Sequence, residues 1–196
     1  MKPAVGLVLS GMHTAYIGLG ANLPGPAGPP AATMAAAAAR LVSLGRVVGR
    51  SSLYSTTPMG LTEQPRFFNA VIGMETTFDP REMLASLLAI EREFGRDRAA
   101  AVPNGPRTLD LDILLFGRLI VNHQDLEIPH PRLAERGFVL VPLHEIAPDA
   151  VDPRTGSTVA QLLNSLFPAP GESTDAVVKV QSDVWRVGTI VRGTVP

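Results

Sequence analysis

Asp79-Pro80-Arg81-Glu82-Met83-Leu84-Ala85-Ser86-Leu87-Leu88-Ala89-Ile90-Glu91-Arg92-Glu93-Phe94-Gly95 is the stretch on which the fold turns. It opens with an N-cap aspartate, a proline at the first helical position and a glutamate three residues after the cap, the pattern of a capping box. Met83, Leu87, Ile90 and Phe94 recur at helical spacing with Leu84 and Leu88 beside them, and Gly95 supplies the stop. A helix with one apolar stripe must lie on something, and the sequence on either side says what. Downstream, a small-residue loop from Asp97 to Pro106 leads into a strand from Thr108 to Phe116. Upstream come a strand at Ala15–Leu19, a turn over Gly20–Gly25, and a helix that starts at Pro29-Pro30, runs past Val42 and stops at Gly45. A strand from Val47 to Tyr54, a turn-rich loop from Thr56 to Pro65 and a strand from Phe68 to Thr76 follow. The order β-α-β-β-α-β predicts an α+β chain: a ferredoxin-like α/β sandwich, mainly an antiparallel sheet with both helices packed on one face and the other face free for ligands.

Beyond this unit the sequence predicts a strand at Leu119–Val121, a helix or turn over Arg136–Ile146 and a short helix at Thr158–Leu166. One domain is expected over 14–166. Residues 167–196 form a C-terminal tail of unassigned role, with a linker-like stretch at Pro168–Ser173 and strand-like apolar runs between Val177 and Val191.

Composition narrows the function. At 196 residues and 45% hydrophobic the chain can bury one substantial core. No run approaches the roughly 18 apolar residues of a membrane span, and Met1–Thr14 lacks the order of a secretory signal, so a cytoplasmic protein without a membrane partner is expected. The absence of cysteine excludes disulfides and thiolate ligands, leaving oxygen or histidine to hold any metal. A net charge of −1 provides no basic field for a nucleic-acid backbone. Only Lys2 and Lys179 are lysines; the other cationic residues are arginines, whose planar fork suits bidentate phosphate contacts, although a codon bias would produce the same excess.

The chemistry concentrates in Gly105-Pro106-Arg107-Thr108-Leu109-Asp110-Leu111-Asp112-Ile113-Leu114-Leu115-Phe116. Strand alternation points Asp110 and Asp112 to one face, with Cα atoms about 6.5–7 Å apart, and sends Leu109, Leu111, Ile113 and Leu115 into the core. Two carboxylates beside apolar packing repel each other and need cations or donors to stay ionised. Magnesium, held by one or two carboxylates and completed by phosphate oxygens and water, meets that need; a solvated strand face, or a simple Arg107–Asp110 pair, is the plainer alternative. Arg96, Arg98, Arg107, Arg132 and Arg136 cluster around this segment, His130 falls in the same region, and phosphoryl transfer depends on such charge neutralisation. Gly18-Leu19-Gly20 lacks the third glycine of a dinucleotide fingerprint and the Lys-Ser/Thr of a P-loop, so it reads either as strand termination or as a place where backbone meets a ligand. Phe67, Asn69 and Phe138 could sandwich a flat heterocycle and read its edge.

These motifs, with Ala15–Leu23, Ser51–Tyr54, Gln64–Ala70, Ile128–Leu133, Arg136–Leu140 and Glu145–Pro148, resemble the 6-hydroxymethyl-7,8-dihydropterin pyrophosphokinases of folate biosynthesis. The resemblance implies transfer of a diphosphate from ATP to the pterin, with two Mg²⁺ ions, AMP as the second product and a monomeric enzyme. It implies that Asp110 and Asp112 bind metal. Phe67 and Phe138 would stack on the pterin, Asn69 would read its edge, and Thr56, Pro58 and Met59 would complete the pocket. Arg96 and Arg107 would be the catalytic cations. Together with His130 and Arg136 they would contact the triphosphate, with Leu88, Glu91, Arg98 and Ile113 lining the nucleotide site. A different Mg²⁺-dependent transferase or nucleotide hydrolase on a related fold, and a non-catalytic ferredoxin-like ligand-sensing or interaction module, are the alternatives.

Overall fold

A computed structural model describes residues 11–58, 63–98, 105–167 and 177–186. Met59 and the loop 99–104 lie outside the described residues. The elements in order are β1 (His13–Ala21), α1 (Pro30–Leu41), β2 (Arg46–Arg50), β3 (Leu53–Thr56), β4 (Phe67–Thr76), α2 (Pro80–Glu93), β5 (Asp110–Phe116), β6 (Val121–His123), β7 (Leu126–Ile128), α3 (Gly137–Ile146), α4 (Val159–Leu166), β8 (Val177–Val180) and α5 (Asp183–Arg186).

The α2 capping box forms as the sequence predicts. Asp79 Oδ1 accepts from the backbone of Arg81 and Glu82 at 2.8 Å each, and Glu82 Oε2 accepts from the Asp79 backbone at 2.9 Å. Met83 and Leu87 are fully buried, and Gly95 ends the helix at φ 81°.

The main sheet runs β5-β1-β4-β3-β8 with β2 also on β4, and every pairing is antiparallel. The first four strands of that path make the ferredoxin-like order, because each β-α-β crossover places its strand beyond a neighbour. The α1 and α2 helices bury one face through Ile17, Met34, Leu41, Met74, Leu87 and Leu111.

Three features depart from the sequence reading. The single strand expected over Val47–Tyr54 divides into β2 and β3, because the Ser51 hydroxyl caps the ladder by accepting from Val71 N–H at 2.9 Å. Strand alternation fails near the end of β5: the register against β1 shifts between Tyr16 and Ile17, so Leu115 joins Leu114 on the face away from α1 and α2, and Phe116 turns back into their core. The second face is also only partly free. Val71, Leu114 and Leu115 make part of it apolar, and they are covered by Leu133, Val139, Leu140 and Leu143 from α3 and its approach, with Val159 and Leu162 of α4 behind. The open remainder of that face holds the site.

A small β6-β7 hairpin stands apart from the main sheet; its second strand, Leu126–Ile128, is an element the sequence reading did not include. The described part of the tail enters the main sheet, since β8 pairs along the outer edge of β3.

Candidate active site

Register places the functional side chains in rows across three strands. On the open face Asn69 of β4 and Asp110 of β5 both oppose Gly20 of β1, while Asp112 opposes Gly18. Two strand spacings separate Asn69 from Asp110, about 10 Å, with only glycine between them. A Cβ on Gly20 would sit 3.2 Å from Asn69 Oδ1, and one on Gly18 3.3 Å from a Leu114 methyl. The glycines are thus neither a turn nor a phosphate loop; they are the floor of a cleft.

That cleft is open to solvent and is lined by Thr56, Phe67, Asn69, Arg107, Asp110, Asp112, Arg136 and Phe138 among others. At one end Asn69 Nδ2 donates to Thr56 Oγ1 at 2.7 Å, which orients the amide. Phe67 and Phe138 come together here from strand β4 and helix α3, each with an arginine near its ring: Arg107 lies 5.2 Å from the Phe67 centroid and Arg136 5.5 Å from that of Phe138.

The other end is charged. Arg107 hydrogen-bonds Asp110, and Arg96 reaches the same carboxylate at 3.5 Å. The simple Arg107–Asp110 pair is therefore real, yet it leaves donors over. Arg96 Nε, Arg107 Nε and Thr108 Oγ1 are buried and find no hydrogen-bond partner, as expected of groups waiting for an anionic ligand. Burial, with Asp110 and then Glu91 as like-charged neighbours, pushes the Asp112 carboxyl up to about 6 against the opposing pull of Arg136 and Arg98. A divalent cation would relieve that cost. Asp110 and Asp112 have the hard oxygen donors magnesium takes, and two carboxylates suffice when phosphate oxygens and water complete the shell. The described residues hold no cluster of three or more acidic or histidine ligands, so a self-sufficient protein cage is absent among them.

His130 follows a cis Ile128–Pro129 peptide. Its backbone N–H donates to Leu114 O, and its Nδ1 accepts from Arg132 N–H, each at 3.0 Å. Burial and the Arg136 and Arg132 charges push the imidazole down to about 4, so the ring is neutral at pH 7 with its proton on Nε2.

Not every expected residue lines the cleft: Arg96 adjoins it through Asp110, and His130 through Arg132, without lining it. Glu91 is buried, paired with Arg98 at 2.8 Å and bonded to Leu111 N–H at 2.8 Å, so both hold the scaffold behind the aspartates. Ile113 is packed in the helix-side core, Leu88 sits half-buried on α2, and Pro58 is buried just past β3. Met59 lies outside the described residues. One contributor was missed: Asn22, 3% exposed, takes Arg107 N–H on its Oδ1 at 2.8 Å and gives its amide protons to Gln64 Oε1 and Pro65 O at 3.0 Å each. It clasps the segment leading to Phe67 to the segment leading to Asp110. Val71, Leu114 and Val139 also line the cleft; Val71 was accessible in principle, being two residues from Asn69 on one strand.

The α+β sandwich thus carries a cleft with an aromatic end and a charged end where arginines meet the paired carboxylates. The family described as 7,8-dihydro-6-hydroxymethylpterin-pyrophosphokinase (HPPK) matches residues 16–148, and the chain belongs to that family, the pyrophosphokinases of folate synthesis. Among relatives, a Synechocystis 2-amino-4-hydroxy-6-hydroxymethyldihydropteridine pyrophosphokinase is 42% identical over 156 residues, covering 79% of this chain and 76% of that one. The Pneumocystis carinii folic acid synthesis protein fol1 is 43% identical over 121 residues, which cover 62% of this chain but 16% of that protein. A solved Plasmodium falciparum HPPK-DHPS with pteroate shares the fold at a TM-score of 0.62 and 16% identity, over 79% of this chain and 42% of that one. The chain thus spans most of the Synechocystis protein and less than half of the two longer ones.

Proposed function

We propose that the chain transfers the diphosphate of ATP to the hydroxymethyl group of 6-hydroxymethyl-7,8-dihydropterin in a magnesium-dependent reaction that releases AMP. The observation that supports this reading is the row Asn69–Gly20–Asp110, an amide and a carboxylate on either side of one glycine, as a group reading a heterocycle and a metal ligand would need to stand.

In this reading Phe67 and Phe138 hold the pterin between their rings, and Asn69, oriented by Thr56, reads its edge. Arg96, Arg107 and Arg136 take the phosphate oxygens, and His130 offers its Nε2 proton as a neutral donor. The pterin hydroxyl attacks the β-phosphorus, the bond from that phosphorus to the α-bridging oxygen breaks, and AMP departs with the oxygen while the hydroxyl proton passes to solvent. Magnesium held by Asp110 and Asp112 would supply the positive charge that offsets the crowded phosphates. The rate enhancement then comes from alignment and electrostatics, with no side chain assigned as base.

The test is to incubate the protein with the pterin, ATP and Mg²⁺ and to separate the adenine nucleotides, with a no-pterin control. Pterin-dependent AMP without ADP is the expected result. Pterin-dependent ADP, or no pterin dependence in a folded sample, overturns the assignment.

A further inference from the structure

Val177–Arg186 lies outside the residues that match the family, yet it pairs along the strand that brings Thr56 to the cleft. Thr56, at the end of β3, orients Asn69. β3 is only four residues long, and its inner edge meets β4 at three of them, Tyr54, Ser55 and Thr56. An edge strand so short opens easily unless its outer edge is covered. β8 covers all of it, in the register Leu53 with Val180, Tyr54 with Lys179, Ser55 with Val178 and Thr56 with Val177.

Two side chains lock this strand in place. Lys179 Nζ reaches Glu145 Oε1 at 3.0 Å; the same carboxylate accepts from Ser52 N–H and Ser52 O–H at 2.7 Å each and from Tyr54 O–H at 3.0 Å. Glu145 belongs to α3, which also carries Phe138. The chain's one tryptophan, Trp185, follows β8 and is 4% exposed. Its indole N–H donates to Ser51 O at 2.9 Å, its ring lies 3.7 Å from the Arg50 guanidinium, and it joins the core beneath α1. Arg50 Nε and Nη2 have no hydrogen-bond partner, so the indole face is their compensation.

We propose that Val177–Arg186 is a positioning element for the heterocycle end of the cleft: β8 fixes β3, and with it Thr56 and Asn69, while Lys179 ties that wall to the helix bearing Phe138 and Trp185 anchors the segment. The inference rests on the assignment of that end to the pterin. It requires the segment to act on pterin recognition more than on Asp110, Arg96 and Arg107, which β5 and the turns after α2 and before β5 carry.

The experiment uses the full chain and compares Lys179→Met, Trp185→Phe and Asn69→Ala, measuring KM for each substrate, kcat and Tm. Lys179 is surface-exposed and the Trp185→Phe change keeps a ring, so both variants are expected to fold. Losing an exposed ion pair or one buried indole hydrogen bond should raise the pterin KM roughly threefold to tenfold, with the ATP KM within about twofold of the parent. Asn69→Ala must raise the pterin KM at least as much. If Asn69→Ala raises it while both segment variants lower only Tm, the segment is a stabiliser and the inference fails alone. If Asn69→Ala has no effect, the pterin assignment of that end fails and takes the inference with it.

Discussion

Glu91, in the last turn of α2, accepts the backbone N–H of Leu111 at 2.8 Å, and Leu111 stands between the two aspartates of β5. Among the described residues β5 pairs with β1 alone in the main sheet, and this N–H, aimed at Glu91 instead of a strand, would be a buried orphan without it. The carboxylate, 1% exposed, also takes both Arg98 contacts, at 2.8 and 2.9 Å. A helix end thereby pins the strand that presents Asp110 and Asp112.

Removing that carboxylate should damage stability before chemistry. Glu91→Ala leaves a buried N–H unpaired and frees the Arg98 guanidinium, a loss of about 2–4 kcal/mol by analogy with other buried charged hydrogen bonds. Glu91→Gln keeps an acceptor for Leu111 and should lose about half as much. Urea unfolding of both variants checks the order; equal stability of Glu91→Ala and the parent would remove Glu91 from this role.

Asp112 should be a site where activity and stability oppose each other. In the metal-free protein its carboxyl is raised to about 6 by burial and then by Asp110 and Glu91, so the folded state holds the proton more tightly than the unfolded chain does. Its favourable contribution is complete below the unfolded value near 3.8 and is lost as the pH climbs through about 6. Asp112→Asn should therefore raise Tm by roughly 2–5 °C at pH 7.5 and by much less near pH 4. Scanning calorimetry at the two pH values tests this, and the same variant should have no measurable turnover.

The same shift would make the proposed magnesium binding proton-linked. A ligand carboxyl that titrates near 6 must lose its proton before it can coordinate, so apparent Mg²⁺ affinity should be level from pH 7 to 8. Below about pH 6 it should fall, approaching tenfold per pH unit. Calorimetric titration in two buffers of different ionisation enthalpy would reveal the released proton. Affinity independent of pH between 5 and 8 would show that Asp112 is not a ligand.

Gly20 sets the depth of the cleft floor. Its missing Cβ would lie 3.2 Å from Asn69 Oδ1 and 3.9 Å from Asp110 Cβ, so Gly20→Val projects its methyl groups from the floor between the two ends. Activity should fall by about a hundredfold or more, as for other misplaced reacting groups, with the far-ultraviolet dichroism of the parent retained. Parent-like kcat/KM in Gly20→Val would mean the substrates bind elsewhere.

The legible parts were those whose cause is local. The Asp79–Glu82 box, the α2 stripe and the Gly95 stop lie within one helix, and the sequence placed them within a residue or two. The shared face of Asp110 and Asp112 needs only the twofold period of a strand, and that too was readable. Leu115 was misplaced because a register shift between β1 and β5 interrupts the period, and nothing in Leu114-Leu115 marks it. The hairpin strand at Leu126–Ile128 was missed because three residues carry too little pattern.

The sequence by itself determined the β-α-β-β-α-β framework, the pairing of carboxylates on one strand and the family, because each is written in contiguous residues or short motifs. Tertiary structure alone decided that Asn69 and Asp110 share Gly20 as their common neighbour, and that Asn22 clasps residues 42 and 85 positions away. It also decided that Glu91 serves Leu111 and that Trp185 closes over Ser51, 134 residues distant. These contacts depend on sheet register and on the packing of distant segments, and a side chain's chemistry states what it can bond to without stating which partner the folded chain will bring to it.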